Sequence, residues 1–584
     1  MLKDYSLLHL LPYLGKYRWK VGIGFVMVAC TVAAGMVSPW ILKYVVDDIQ
    51  AAFAPEKLPR YAALILGISA VEGFFRFWMR RILIGVSRDI EFDLRNDFFS
   101  HLQKMSLSFF QAHSTGDIMS RATNDLNAVR SVLGPGIMYS VTTLVTVIAA
   151  GLILFRLNWK LTLFACVPLM LASIGVKTVG RQIHDRFEVI QEQFSRISAR
   201  AQENLAGIRV VKAFAREESE TSEFQRLNEE YVRRSASLIR LWGIFYPMMS
   251  ALIGLSAVAL LWYGGRMVVA GQLSLGEFVA FLSYLSILTW PTIAAGWVIN
   301  IFQRGAASME RILRILRTAP GIRSDTPPGD PWSALGAIEI RNLSYRYPGS
   351  VRPVLKEISL HVPAGSTLAI VGQTGSGKST LANLIPRLFD PPPGTIFVDG
   401  RDVHSWPLAD LRRLIGYVPQ ETFLFSDTIR ANIAFGMAGE IPDAQLEWAA
   451  GVSAIAEDIQ TFPEGFKTFV GERGITLSGG QKQRVALSRA LAKSPKILIL
   501  DDAFSSVDTY TEEKILQGFR QAMRDRTTIL ISHRVSTVKE ADHIVVMRDG
   551  AIVERGTHES LMATGGAYSD LYHKQLLEEE LATA

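Results

Sequence analysis

The chain has 584 residues, enough for roughly two to four domains, and 49% of them are hydrophobic. Its net charge of +6 admits nucleic acid or an anionic membrane surface as partner, but the Lys and Arg residues cluster beside apolar runs, which selects the membrane and excludes nucleic acid. The only two cysteines, Cys30 and Cys166, both lie inside apolar stretches, which excludes a disulfide framework and a Cys-based metal site.

Met1 to Lys20 is mixed and polar, with no apolar core before a small-residue cleavage site. No cleavable signal peptide is expected, and the first apolar run serves as the membrane-targeting segment. A membrane-crossing helix needs about 20 largely apolar residues. Six segments qualify: 21–46, 61–85, 137–157, 160–178, 243–270 and 275–303. They are expected to be helices, because lipid offers no hydrogen-bond partner to an open strand edge.

The connections differ in length. Those after the second and fourth spans are long and rich in Arg, Lys, Asp and Glu, whereas Leu157–Asn158–Trp159 and Gly271 to Ser274 are short. Arg80, Arg81, Arg88, Arg95 and Lys104 follow the positive-inside rule, so the long connections and both termini are expected in the cytoplasm. Neither 86–103 nor 188–206 contains Gly or Pro, so the second and fourth spans are expected to continue as helices out of the membrane. Glu72 and Arg76, one turn apart in the second span, read as a substrate or gating contact or as an i,i+4 pair that neutralises itself. Trp242, Phe245, Tyr246, Trp262, Phe281, Tyr284 and Trp290 read as the lining of an apolar cavity or as packing and interfacial belts. Thr318 to Asp330, TAPGIRSDTPPGD, is polar and rich in Pro and Gly. It divides the chain into a membrane domain over 1–317, a linker over 318–335 and a second domain over 336–584.

In that second domain STLAIVG reads as a short buried strand and runs directly into Gly372-Gln373-Thr374-Gly375-Ser376-Gly377-Lys378-Ser379-Thr380, followed by a helical pattern. This is G-x-x-x-x-G-K-[ST] in its required strand-to-helix context. The glycines let backbone N–H groups wrap phosphates, Lys378 reaches the outer phosphates and Ser379 binds Mg²⁺. Lys496 to Leu500 is a second apolar strand and ends in Asp501-Asp502, the magnesium-side acid strand of P-loop ATPases. Between them, Leu477-Ser478-Gly479-Gly480-Gln481 opens a basic helix and forms a second anion seat.

With LSGGQ the sequence resembles the ABC transporter family, over nearly the whole chain. The fold this implies is an all-α six-helix transmembrane domain followed by an α/β P-loop ATPase domain. The resemblance implies ATP and Mg²⁺ as cofactors, and it implies that Ser478, Gly479, Gly480 and Gln481 close over ATP held by the opposite subunit of a dimer. Tyr347, in YRYPG, resembles the aromatic that stacks on adenine. Gln420 resembles the glutamine that touches Mg²⁺ and the attacking water, and Glu472 lies where exporters carry a contact to the transmembrane tips. Asp508 resembles the aspartate that communicates across the dimer, and His533 the switch histidine reading the γ-phosphate. SLSFFQAHSTGDIMSRATNDLNAVR (Ser106 to Arg130) and ENLAGIRVVKAFAREE (Glu203 to Glu218) resemble the exporter segments whose turns dock on the ATPase domains.

One position departs from the family. Where it carries Glu as general base, this chain has Asp502. Asp is one methylene shorter, and a misplacement of roughly 1 Å costs about a hundredfold in rate. The expectation is slow hydrolysis at this chain's own phosphate loop and a second half-transporter, carrying the Glu, as favoured partner; a homodimer whose Asp suffices is the alternative. The expected role is export of amphipathic, drug-like compounds across the cytoplasmic (inner) membrane, in contact with membrane lipid; a lipid flippase is the competing cargo reading.

Overall fold

The computed structural model describes residues 3–51, 55–323, 333–437, 439–505, 507, 509–523, 526–532 and 534–583. It forms two compact units, one comprising Met1–Gln103 with Thr115–Thr318, the other Lys104–Ser114 with Ala319–Ala584. Much of the expected linker falls on 324–332, outside the described residues.

Among the described residues of the first unit, five helical runs are long and apolar enough to cross a membrane: Arg18–Ala51 (α1), Leu58–Leu102 (α2), Thr115–Ala165, Glu217–Val269 and Leu275–Leu316. The expected fourth span, 160–178, lies in the helix Ile137–Ala206 (α3), where many of its side chains are outside the described set. Unbroken, those 70 residues would run about 105 Å. They break at Asn158, which is extended at φ −162° and ψ 108°. The Asn158 Oδ1 accepts the Leu161 N–H at 3.0 Å and so caps the second half. The short connection read at 157–159 is therefore a single-residue break.

The helix α2 is continuous from Leu58 to Leu102, about 68 Å against a hydrocarbon core of about 30 Å, so it extends well beyond the membrane. Its buried face recurs at helical spacing through Met79, Leu83, Val86, Ile90, Leu94 and Phe98. After α3 a turn at Gly207 and the helix Ile208–Ala213 lead into Glu217–Ala259 (α4). The last span, Leu275–Leu316 (α5), opens with a reciprocal capping box between Ser274 and Glu277. The end of α1 grips this same cap. The Asp47 carboxylate accepts from the Gly276 N–H at 2.7 Å and the Ser274 hydroxyl at 3.0 Å, and Lys43 pairs with Glu277 at 2.9 Å.

Within α2, Arg76 donates to Glu72, the self-neutralising arrangement. Phe281 and Tyr284 are core residues, with the Tyr284 hydroxyl donating to the Met36 carbonyl at 2.7 Å, while Trp262 and Trp290 are exposed. The side chain of Tyr246 is outside the described residues.

The second unit is built on two sheets. The antiparallel one has the order β2-β1-β4-β5, from Ile338–Tyr345 (β1), Leu355–Val362 (β2), Ile396–Val398 (β4) and Arg401–Asp402 (β5). The six-stranded one has the order β10-β9-β3-β8-β7-β6. Thr367–Gly372 (β3), Ile415–Val418 (β6), Ile497–Asp501 (β7), Thr527–Ile531 (β8) and His543–Arg548 (β9) run parallel, and Ala551–Gly556 (β10) pairs antiparallel at the edge. β3, β7 and β8 are buried along their whole length, as parallel strands covered on both faces require. Their carboxyl ends converge where such sheets bind ligands.

Candidate nucleotide site

β3 delivers Gly372 to the loop, and the helix Lys378–Leu384 (α6) begins at its far end. Gly372 and Gly377 take φ of 149° and 99°. A Cβ on Gly372 would stand 2.2 Å from the Met547 carbonyl oxygen, and one on Gly377 2.8 Å from Leu355 Cδ2. Both conformation and space therefore demand glycine.

Lys378 is buried, and its Nζ donates to the carbonyls of Gly372 at 2.8 Å and Gln373 at 2.9 Å. Burial holds its pKa below the usual lysine value, opposed by the carboxylates of Asp501 and Asp502. The Ser379 hydroxyl donates to Asp501 Oδ1 at 3.1 Å. Asp501 closes β7, and burial raises its pKa; the charge of Asp502 adds to this, while the Ser379 hydrogen bond and Lys378 oppose it. Asp502 is half-buried in a left-handed backbone at φ 52°, its N–H donating to the Ile531 carbonyl at 2.9 Å.

These elements enclose a cavity of about 190 Å³. It brings together Thr374, Gly375, Gly377, Lys378, Ser379, Thr380, Gln420, Asp501 and Asp502, residues singled out from the sequence. Val354 and Ile531 also line it. Sequence reading missed both, because an apolar residue at a strand end carries no mark distinguishing it from core. The donor set fits ATP with Mg²⁺. Among the described residues the buried Ser376 hydroxyl has no partner, and an orphaned donor within a phosphate-type loop matches an anion's oxygens. The adjacent Ser379 hydroxyl and Asp501 carboxylate supply the hard oxygen ligands that Mg²⁺ prefers.

Other expected residues lie elsewhere. The Tyr347 hydroxyl hydrogen-bonds Thr380 Oγ1 at 3.0 Å, and its ring meets Phe389 edge-on at 5.0 Å. Ser478 caps the helix Gly479–Ala492 (α7), its hydroxyl accepting from the Gln481 N–H at 3.3 Å while Gln481 Oε1 accepts the Ser478 N–H at 3.0 Å. Ser478 and Gly479 are exposed, and none of Ser478 to Gln481 lines the cavity. Asp508 and His533 are outside the described residues.

Two family models match the chain: the ABC transporter transmembrane region over residues 21–292 and the ABC transporter ATPase model over 355–505. The chain is 36% identical over 577 residues to a probable multidrug resistance ABC transporter ATP-binding/permease protein, YheI, of Bacillus subtilis, covering 98% of each. It is 35% identical to the multidrug resistance-like ATP-binding protein MdlA of Escherichia coli, over 97% of this chain and 96% of that one. It is also 35% identical to an ATP-dependent lipid A-core flippase of Syntrophus aciditrophicus, over 95% and 92% of the two chains. A solved bacterial Atm1-family ABC exporter with ATP bound superposes with a TM-score of 0.78 at 29% identity, over 96% of this chain and 98% of that one. The chain belongs to the ABC transporter family, as a half-transporter in which a helical membrane domain is fused to an ATPase that drives transport.

Proposed function

We propose that this half-transporter exports amphipathic or hydrophobic compounds across the cytoplasmic (inner) membrane by alternating access, paired with a different half-transporter that carries Glu where this chain has Asp502. Both termini face the cytoplasm in this reading. The observation that carries the two-chain arrangement is the separation of two anion-binding features, and Asp502 in place of Glu is what favours a different partner. The phosphate loop lines the chain's own cavity, whereas Ser478 and Gly479 are exposed and do not line it. Two chains arranged head to tail bury both features, each covering the other's nucleotide.

In that assembly Tyr347 stacks on adenine, and Gly372, Thr374, Gly375, Ser376, Gly377, Lys378 and Thr380 hold the phosphates. Ser379, Gln420 and Asp501 hold Mg²⁺, which neutralises charge on the transferring phosphoryl group when bound. Asp502 polarises the attacking water from a short side chain, while His533 and Asp508 read the γ-phosphate and the dimer contact. Gly480 and Gln481 complete the seat offered to the partner's nucleotide. ATP binding closes the ATPase domains and turns the membrane cavity outward, and hydrolysis at the competent site resets it.

A homodimeric lipid flippase is the second reading, supported by the 35% and 36% identity to lipid A-core flippases. ATPase measurements in nanodiscs separate the two. The proposed reading expects weak turnover by the lone chain, strong turnover with the partner, and stimulation by amphipathic drugs. Strong turnover by the lone chain that Asp502→Ala abolishes and lipid stimulates would establish the second.

A further inference from the structure

The loop that carries Gln420 is held beyond Gln420 by the last turn of α7, the helix whose first residue is capped by Ser478, and the residue after α7 holds the start of the strand that leads into the loop. Before the loop, the Lys493 Nζ donates to the Ile415 carbonyl at 2.9 Å, at the start of β6. After the loop, Arg489 spreads its guanidinium over three acceptors. Its Nη1 donates to the Phe423 carbonyl at 2.9 Å, its Nε to the Asn432 carbonyl at 2.8 Å and its Nη2 to Asn432 Oδ1 at 2.9 Å. Asn432, 1% exposed, extends the grip. Its Oδ1 also accepts the Phe425 N–H at 2.8 Å, and its Nδ2 donates to the carbonyls of Phe425 at 2.9 Å and Thr428 at 3.1 Å. The rings of Phe425 and Phe435, 4.3 Å apart, lie against the guanidinium at 5.9 and 5.7 Å. Nothing in the phosphate chemistry accounts for this investment of a half-buried arginine, since Arg489 does not line the nucleotide cavity.

We infer that Arg489 is a positioning residue that sets Gln420 against the γ-phosphate side of this chain's own site and couples that setting to whatever engages Ser478 at the other end of α7. A helix is stiff along its axis, and Ser478 lies three turns from Arg489, about 16 Å. A displacement of the helix start by the opposite subunit's nucleotide therefore reaches Phe423, three residues beyond Gln420, through hydrogen bonds that allow little slack. Two sites that share no ligand become linked by a rigid element both of them touch. The coupling needs the planar fork: a lysine places one charge near the same acceptors but cannot span Phe423 and Asn432 together.

The inference rests on the proposed role of Gln420, and a double-mutant cycle on the ATPase of the full-length assembly in nanodiscs separates the two ideas. Arg489→Lys should lower single-turnover hydrolysis at this chain's own site about tenfold, leave ATP binding unchanged and remove cooperativity in ATP. Combined with Gln420→Ala it should add little to the loss from Gln420→Ala alone. Losses that multiply would overturn the coupling while leaving the Gln420 role intact. A Gln420→Ala variant with the wild-type single-turnover rate at this site would instead overturn the Gln420 reading itself. If Arg489→Lys does not fold, Arg489→Gln, which is uncharged and too short to reach the Phe423 carbonyl, takes its place with the same outcomes. Hydrogen exchange adds a readout independent of turnover: ATP should protect the amides of 421–427 in the wild type and not in the variant, and equal protection in both would refute the linkage.

Discussion

Replacing Asp502 by Glu tests the proposed slow site directly. The residue stands beside Asp501, Gln420 and Lys378 on the cavity wall, so an added methylene carries its carboxylate about 1.5 Å deeper toward the phosphates. Placement errors on that scale correspond to about a hundredfold in rate, or about 2.7 kcal/mol of barrier. A smaller effect opposes the gain. Asp502 sits at φ 52°, where Asp is tolerated better than Glu, and the left-handed backbone costs a longer L-residue about 1 kcal/mol. That cost falls on stability, since the N–H bond to the Ile531 carbonyl holds the backbone in place in either variant. The expected result is a rise in single-turnover ATP hydrolysis at this site of ten- to a hundredfold, with a slightly lower melting temperature. Single-turnover kinetics on the full-length protein in nanodiscs, with Asp502→Ala as baseline, measure it. A rate for Asp502→Glu equal to wild type, with ATP binding intact, would refute the geometric argument and place the rate limit elsewhere.

Three further outcomes follow from the site. Gly377→Ala should lose ATP binding and about 1–2 kcal/mol of ATPase-domain stability, because φ is 99° and the new Cβ would meet Leu355 Cδ2 at 2.8 Å; wild-type nucleotide binding would contradict the cradle described. Ser478→Arg should leave nucleotide binding at this chain's own loop unchanged and cut turnover of the assembly about a hundredfold; loss of binding at the chain's own loop would mean that Ser478 serves its own subunit. Burial, with a smaller contribution from Arg413, pushes the Lys493 pKa from 10.5 down to about 8. The folded domain therefore releases this proton between about pH 8 and 10.5 while the unfolded chain keeps it, and stability from this group rises with pH across that window. Lys493→Met should flatten the rise seen in melting temperature, and an unchanged slope would assign it to other groups.

Sequence by itself determined the parts whose chemistry is written in consecutive residues. Apolar runs long enough for a bilayer, the GxxxxGKS loop between strand and helix, and the LSGGQ helix start all act through local backbone, so spacing alone exposes them. The uninterrupted extension of α2 was legible for the same reason, as a stretch without Gly or Pro. Tertiary structure decided what depends on residues distant in the chain. It set Asp501 against Ser379, 122 positions away, and brought Gln420 onto the same cavity wall as Lys378. It brought in Val354 and Ile531, whose apolar side chains look like any strand end. It gave Asp502 a left-handed backbone, set by a hydrogen bond to the neighbouring strand that no residue pattern announces. It also bound Arg489 to Phe423 and Asn432, which reads in the sequence as one more basic residue on a basic helix. A side chain's environment is the sum of neighbours supplied by the fold, and those neighbours are fixed only once sheet order and helix packing are fixed.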